Sequence, residues 1–458
     1  MYQTLSPSLS LALAIFFLLL GIFEPNIGAI GFYIIGTYCI FQCKLRYLPA
    51  LFICHLSPNS FEVVTSYLEM SRLDIIKSVS FSRRVLPTFS EISQIIFCFY
   101  TIVSLFMKPF KFKSSKLRLL FWFWAICVIG GIINTIFSLL DGNEMWTRGL
   151  RAVLTVGCCF YGLLLAQRSK IAEDFGLVTP WLSLILVFGI LVALHVFWSH
   201  MLFWLVSIAS LLLAVQLRYK NSKIFRFSAL AYLPVSAGSS ITMLVISCAS
   251  FFAVWLSSSK SQIRRNFVRK GIILTLILGP FIALGVGAFS DSLGLGNNIE
   301  MVSSQASLSD RAVFKFAGDR LPLWASAYSQ IVEGSFWFPT SGRALEVLHF
   351  SAEVEWNYGA HNTYLEILRN NGLFFGSILL FVIINLLIMT LRNITNSSDA
   401  YSLFGVSLCT AAGVGLILGD FVVEPTVGPI FWITVGVVIW RSQQLIGLSE
   451  KTGSVVNQ

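Results

Sequence analysis

The most informative stretch of the chain is His361-Asn362-Thr363-Tyr364-Leu365-Glu366-Ile367-Leu368-Arg369-Asn370-Asn371-Gly372. After Gly372 the sequence is almost continuously apolar over about 20 residues, the length that an α-helix needs to cross a bilayer. Thr363 and Glu366 have the spacing of a capping box, and Asn371-Gly372 is typical of a helix end, so a short helix is predicted over 363–371. Polar chemistry is therefore expected just ahead of a membrane span.

The rest of the chain has the composition of a membrane protein. Of its 458 residues 56% are hydrophobic and 12% are charged, whereas soluble domains are about 45 to 50% apolar. The apolar runs are continuous, which favours helices over a β-barrel because lipid offers the backbone no outside partner. We therefore expect an all-α polytopic membrane protein with about 11 to 14 transmembrane helices. The clearer spans are predicted at 9–23, 27–43, 89–107, 119–140, 150–166, 181–198, 202–217, 241–257, 272–289, 372–391 and 400–419, and the weaker ones near 45–56, 227–239 and 428–440.

Basic loops set the predicted orientation, since short cytoplasmic connections collect Lys and Arg. Three such loops stand out, at 108–118, 218–226 and 260–270. Placing all three inside puts both termini in the cytoplasm and sends segments 57–88 and 290–371 to the outer face. The chain is then divided into transmembrane helices with the outer loop 57–88 (1–289), a large outer loop (290–371), and C-terminal transmembrane helices with a short cytoplasmic tail (372–458).

Charge, cysteine and histidine content exclude several classes of function. The net charge of +10 lies largely in the basic loops, where it explains topology and contact with anionic lipid, and no basic soluble domain is present to bind nucleic acid. All nine cysteines fall in or beside predicted spans and are expected to be packing residues. The five histidines form no metal-spaced cluster, and the sequence holds neither a phosphate-binding P-loop nor an HExxH motif. Neither a metal nor a cofactor is predicted.

The outer segment 290–371 is where chemistry is expected. Its aromatic residues, arginines and glycines alternate, and Arg320 lies within Gly318-Asp319-Arg320-Leu321-Pro322-Leu323-Trp324. His361 stands just ahead of the predicted short helix, where free backbone N–H groups and the helix dipole favour an anion such as phosphate. The alternative is that His361 and Asn362 only cap an interfacial helix.

Taken in order, these features resemble the signature of the O-antigen ligase and polysaccharide polymerase superfamily. The resemblance rests on Arg320 ahead of Trp324, on Pro339 and Gly342, and on the run from His361 to Leu365 followed by Gly372 and Gly376. It covers about 60 residues closely. It implies a GT-C-like helical bundle in the bacterial inner (plasma) membrane, with 290–371 as a periplasmic catalytic loop that acts on polyprenyl-diphosphate-linked oligosaccharides. Arg320 and His361 are then the predicted catalytic residues.

The chain departs from the family at one point. Many members show a Ser-Arg pair at the outer start of a mid-chain span, and here Ser240 takes the basic position in Ala237-Gly238-Ser239-Ser240-Ile241. Arg148 and Arg151, at the predicted outer mouth of a span, are candidate replacements for binding the substrate. Their alternative role is to snorkel to lipid phosphates.

Three further members complete the predicted substrate-binding set. Asn362 and Tyr364 belong to the motif itself. Arg311 is an outer arginine, as are Arg343 and Arg369, and the alternative for each of these arginines is a surface charge.

The implied chemistry suits these residue types. Transfer of a sugar from a polyprenyl diphosphate builds negative charge on the leaving group, which arginine's planar fork can bind with two hydrogen bonds, without a metal. An acceptor hydroxyl needs a base, and a histidine, which titrates at about pH 6.5, is suited to that role. His361 is thus either this base or a phosphate ligand, and Glu333, Glu353 and Glu355 are alternative bases or solvated charges.

The resemblance implies a polysaccharide polymerase that joins undecaprenyl-diphosphate-linked repeat units by inverting transfer. Its expected partners are this lipid-linked oligosaccharide, membrane lipid and a chain-length regulator. O-antigen ligase, which transfers the glycan to lipid A core, is an alternative within the family, and a flippase or transporter of lipid-linked sugars is an alternative from another class. The charges cluster at one face and not in the middle of spans, which favours the enzyme over the transporter.

Overall fold

The computed structural model describes a helical protein. The described residues are 5–55, 89–107, 114–140, 148–169, 241–259, 261–294, 320–334, 336–337, 339, 360–392, 400–419, 421–423 and 427–456. Their regular structure is a 3-10 turn at Leu45–Tyr47 and the α-helices α1 (Pro7–Phe23), α2 (Pro25–Gln42), α3 (Leu48–His55), α4 (Phe89–Met107), α5 (Ser115–Leu140), α6 (Arg148–Arg168), α7 (Ile241–Ser257), α8 (Gln262–Ser292), α9 (Leu321–Glu333), α10 (Thr363–Thr390), α11 (Ala400–Leu418) and α12 (Gly428–Val456). The all-α class is confirmed for this part of the chain.

Five helices of the described part are long and apolar enough to cross a membrane: α6, α8, α10, Ser115–Phe137 of α5 and Tyr401–Leu418 of α11. Shorter apolar helices occupy Pro7–Gly21, Asn26–Gln42, Ile92–Leu105 and Thr242–Ser257. Each of these helices overlaps a predicted span. The predicted spans at 181–198, 202–217 and 227–239 lie outside the described residues, and the total of about 11 to 14 spans stays a prediction.

Helix α8 differs from its prediction at both ends. The basic segment 260–270 was expected to be a loop, but α8 begins at Gln262, so this segment forms the first turns of the helix. Lys and Arg are good helix formers, and a helix can continue beyond the bilayer into the headgroup region. At the other end α8 continues to Ser292, past the predicted boundary at residue 290.

Helices α6 and α12 pack with their backbones in contact. Gly162 of α6 lies against the carbonyl oxygen of Ile433, and Gly436 of α12 lies against that of Cys159, so a Cβ on either glycine would overlap a carbonyl group. Small residues permit this close approach between membrane helices. The contact holds the middle of α6 against α12, away from Arg148 at the start of α6.

The cysteines pack in the interior, as predicted. All nine are free thiols, and all are buried except Cys248. Cys98 and Cys127 donate weak hydrogen bonds to carbonyl oxygens of neighbouring helices, and Cys409 contacts Thr390. The eight buried cysteines fill space in the core, as predicted, whereas Cys248 is exposed.

Helix α9 lies within the segment that was predicted to form the large outer loop. It packs against α8 and α10, and its Trp324 is buried, with Gly287 of α8 lying against the Trp324 backbone. Arg320 occupies the N-cap position of α9. Packing of this short helix onto the bundle therefore carries Arg320 to the start of α10.

Candidate functional site

The candidate site is built around a break in α10. At Gly372 the backbone has φ 73° and ψ 168°, a conformation that favours glycine, so α10 consists of a short helix (363–371) and a long helix (373–390). The predicted helix end at Asn371-Gly372 is confirmed. A Cβ on Gly376 would lie 3.0 Å from Leu368 Cα, which shows that the two helices fold tightly against each other. Both glycines of the motif thus have a structural role.

The backbone groups freed by the break have new partners. In an unbroken helix Phe374 N–H would donate to Asn370 O. Here Phe374 N–H donates to Phe336 O at 2.9 Å, and Asn370 O accepts a hydrogen bond of 2.8 Å from Asn134 Nδ2 of α5. Buried backbone groups need such partners, so the break is stabilised from two sides.

The start of the short helix is capped one residue earlier than the capping box predicts. Asn362 is the N-cap: its Oδ1 accepts from Leu365 N–H at 3.2 Å and its Nδ2 donates to Ile417 O at 3.0 Å. Thr363 instead donates its hydroxyl to Gly419 O at 2.7 Å. Asn362 is fully buried and joins α10 to the end of α11. Its role as a substrate contact stays a prediction.

His361 lies in a tight turn directly before this cap. Its φ of 49° is in the left-handed region, which is uncommon for residues other than glycine. Its carbonyl oxygen accepts from an Arg320 guanidinium nitrogen at 3.4 Å, and the N–H of the preceding Ala360 donates to Glu366 Oε2 at 3.0 Å. The turn is therefore held on both sides, and the imidazole is half-buried.

Arg320 is buried where four helices meet. Besides His361 O, its guanidinium donates to Leu418 O at the end of α11 and to Thr242 Oγ1 of α7 at 2.8 Å. Arg320 thus joins α7, α9, α10 and α11 and fixes the His361 turn.

Glu366 is the centre of a second, buried polar cluster. An Arg369 guanidinium nitrogen donates to both carboxylate oxygens at 2.8 and 2.9 Å, and Asn370 Nδ2 donates to Oε1 at 2.7 Å. Arg369 also donates to Gln330 Oε1 of α9 at 3.2 Å. Sequence reasoning treated Arg369 as a surface charge, but its side chain is only 2% exposed. The spacing of Glu366 and Arg369, three residues apart on a helix, was the signal that could have revealed the pair.

The structure brings Arg148 into this cluster. Its guanidinium lies 3.6 Å from Glu366 Oε1, and its side chain is 28% exposed. A Cβ on the next residue, Gly149, would lie 2.5 Å from Asn370 O, so the first turn of α6 touches the end of the short helix. Arg151, one turn further along α6, is half-buried and forms no hydrogen bond or ion pair with the described residues.

The remaining predicted site residues do not join these clusters. Tyr364 is fully buried, and its hydroxyl lies against Gly279 of α8 without a hydrogen-bond partner among the described residues. As a substrate contact it stays a prediction. Glu333 is exposed on α9 and accepts from Ser329. Arg311, Arg343, Glu353 and Glu355 lie outside the described residues.

The described residues contain no group of three or more His, Cys, Asp or Glu side chains that could hold a metal ion. Comparisons with protein-family models, curated proteins and solved structures find no match to this chain. A functional assignment therefore depends on the motif and on the geometry around the short helix.

Proposed function

We propose that this protein is an inner-membrane glycosyltransferase with a GT-C-like fold that joins undecaprenyl-diphosphate-linked oligosaccharide repeat units at the periplasmic face. One observation supports this most strongly. Three residues that are far apart in sequence lie around one short helix: Arg148, Arg320 and His361. The same helix carries the buried ion pair of Glu366 and Arg369. This is a set of cations and a histidine suited to a diphosphate leaving group and a hydroxyl acceptor.

The two arginines have different surroundings and therefore different proposed roles. Arg320 is buried and its guanidinium contacts two carbonyl oxygens and a hydroxyl, which supports a role in fixing the His361 turn. Arg148 is partly exposed, which supports direct contact with the diphosphate of the lipid-linked donor. Charge that develops on the leaving diphosphate would be stabilised most by a cation already held in place.

His361 is the candidate for contact with the reacting groups. Its backbone is fixed by Arg320 and, through Ala360, by Glu366, and the residue is half-buried, so the turn presents its side chain from a defined backbone position. As a base it would take the proton of the acceptor hydroxyl while the bond from the sugar to the diphosphate breaks. As a phosphate ligand it would donate a hydrogen bond to the leaving group.

The location of the charges supports group transfer over transport. Arg148 is the first residue of α6, Arg320 directly precedes α9, and Glu366 lies in the short helix ahead of the break. Transporter sites are typically built near the bilayer midplane. In the predicted topology these helix ends instead lie at the outer face of the membrane.

The test is reconstitution of the purified protein in liposomes with an undecaprenyl-diphosphate-linked oligosaccharide. A polymerase would produce glycans of several repeat units on one lipid and release free undecaprenyl diphosphate. Product formation only after addition of lipid A core would instead identify a ligase. Movement of the substrate between leaflets without any new glycosidic bond would identify a flippase and contradict the proposal.

A further inference from the structure

Glu366 connects the two parts of the candidate site. Through Ala360 N–H it reaches the turn that carries His361, and through its ion pair it reaches Arg148 of α6. Its side chain is only 9% exposed, so it does not itself face a ligand. What Glu366 contributes must therefore act through the groups that it holds.

The carboxylate of Glu366 accepts its four short hydrogen bonds from residues of the short helix and of the turn before it. Oε1 accepts from Arg369 and Asn370, and Oε2 accepts from Arg369 and Ala360. An ionised carboxylate offers about four acceptor positions. Glu366 Oε1, at 3.6 Å, therefore attracts Arg148 by its negative charge without accepting a short hydrogen bond from it.

The two arginines beside this carboxylate differ in exposure. The side chain of Arg369 is 2% exposed, whereas that of Arg148 is 28% exposed. Arg369 therefore neutralises the buried carboxylate, and Arg148 presents a guanidinium towards the outside of the cluster. A planar guanidinium is suited to two neighbouring phosphate oxygens.

We propose that Glu366 is the positioning residue of the site. Its buried carboxylate orients Arg148 towards the diphosphate of a polyprenyl-linked donor and holds the His361 turn through Ala360. This inference rests on the proposed function. Loss of the charge at Glu366 should therefore weaken diphosphate binding through Arg148, and should have no further effect once Arg148 is absent.

The experiment measures binding of undecaprenyl diphosphate to the full-length protein in nanodiscs. We expect Glu366→Gln and Arg148→Ala each to weaken binding about tenfold, and the double variant to bind no more weakly than Arg148→Ala. Binding of undecaprenyl monophosphate, which lacks the second phosphate, should change much less in all variants. Asp291→Asn, which removes an exposed carboxylate at the end of α8, is the matched control and should bind as the unmodified protein does.

A second variant separates positioning from folding. Glu366→Gln alone leaves Arg369 buried beside a neutral group and can destabilise the protein. Glu366→Gln combined with Arg369→Gln removes both buried charges, while Arg148 again loses its carboxylate. In folded protein this variant should show the same weakened binding of the diphosphate. Unchanged affinity would contradict the inference.

The outcomes distinguish the inference from the function on which it rests. If the unmodified protein does not bind undecaprenyl diphosphate, the proposed function and the inference both fail. If it binds, but the effects of Glu366→Gln and Arg148→Ala simply add, the inference alone fails. If phosphatidylglycerol vesicles compete as well as the diphosphate, Arg148 binds lipid headgroups, and the inference also fails.

Discussion

At the contact between α6 and α12, glycines allow two continuous helices to approach, whereas at Gly372 a glycine ends one helix so that another can begin. Gly162 and Gly436 lie inside helices and do not have a positive φ. Glycine is needed at these two positions because a carbonyl group of the neighbouring helix lies where a Cβ would be. Gly372 is needed for its own backbone angles. The first region is held by apolar packing, and the second by polar contacts that must all be satisfied.

The difference shows how a polar site can be built inside an apolar bundle. A break in a membrane helix exposes backbone groups, which are tolerated only where protein satisfies them. Around Gly372, Asn134 donates a hydrogen bond to one of these groups and Phe336 O accepts one from another. The two buried charges in the adjacent short helix, on Glu366 and Arg369, pair with each other. We therefore expect substitutions in the two regions to differ in their effects on the free energy of unfolding and on activity.

The largest effect is expected for Arg320→Ala. It leaves the carbonyl oxygens of His361 and Leu418 and the hydroxyl of Thr242 without this donor at the junction of four helices. We expect a loss of about 3 to 5 kcal/mol, because each buried acceptor that is left without a donor costs about 1 to 3 kcal/mol, and we expect no polymer formation. Thermal unfolding in detergent and glycan length in membranes are the measurements. Arg320→Lys should rescue poorly, because an ammonium group cannot bind these separate acceptors as a fork does, and full rescue would reduce Arg320 to a simple charge.

Gly372→Ala tests the break in α10. Alanine at φ 73° and ψ 168° is strained, and we expect a loss of about 1 to 3 kcal/mol together with reduced activity per folded molecule. Gly271→Ala is the matched control, because a Cβ there meets nothing within 4 Å. That variant should be neutral or up to about 1 kcal/mol more stable. Equal stability of both variants would show that the break is not required.

Gly436→Ala tests the contact between α6 and α12. The added Cβ would overlap the Cys159 carbonyl, so the helices must separate slightly, at a cost of about 1 to 3 kcal/mol. Because the site lies elsewhere, the remaining folded protein should keep its activity. Gly413→Ala, where the nearest atoms lie at 3.7 Å, should change little. A loss of activity without a loss of stability in Gly436→Ala would mean that this packing controls the site.

His361→Asn is expected to have the smallest effect on stability. Its effect on turnover is expected to be large. Asparagine tolerates the left-handed conformation, so the turn at φ 49° should persist, but its side chain cannot take up a proton. Turnover should fall by at least about 100-fold if His361 is the base, with donor affinity unchanged. Weakened donor binding would instead identify His361 as a phosphate ligand. Binding and turnover measured on the same preparation distinguish the two roles.

Local patterns in the sequence predicted the features that depend on neighbouring residues. The apolar runs predicted the helices, and Asn371-Gly372 predicted the end of the short helix, because both follow from local backbone and solvent preferences. The cap was predicted one residue too late. Asn362 competes with Thr363 for this position, and the choice depends on Ile417 and Gly419, which lie at and just beyond the end of α11.

What the sequence by itself determined is the helical membrane class, the extent of most described helices and the place of the break, since each depends on residues close together in the chain. Only the tertiary structure decided which charges meet. Glu366 pairs with Arg148, which is 218 residues earlier in the chain. Arg320 binds the carbonyl oxygens of His361 and Leu418, and no sequence pattern identifies backbone carbonyls as its partners. In a bilayer a buried charge must find its partner within the protein, and that partner is set by how the helices pack.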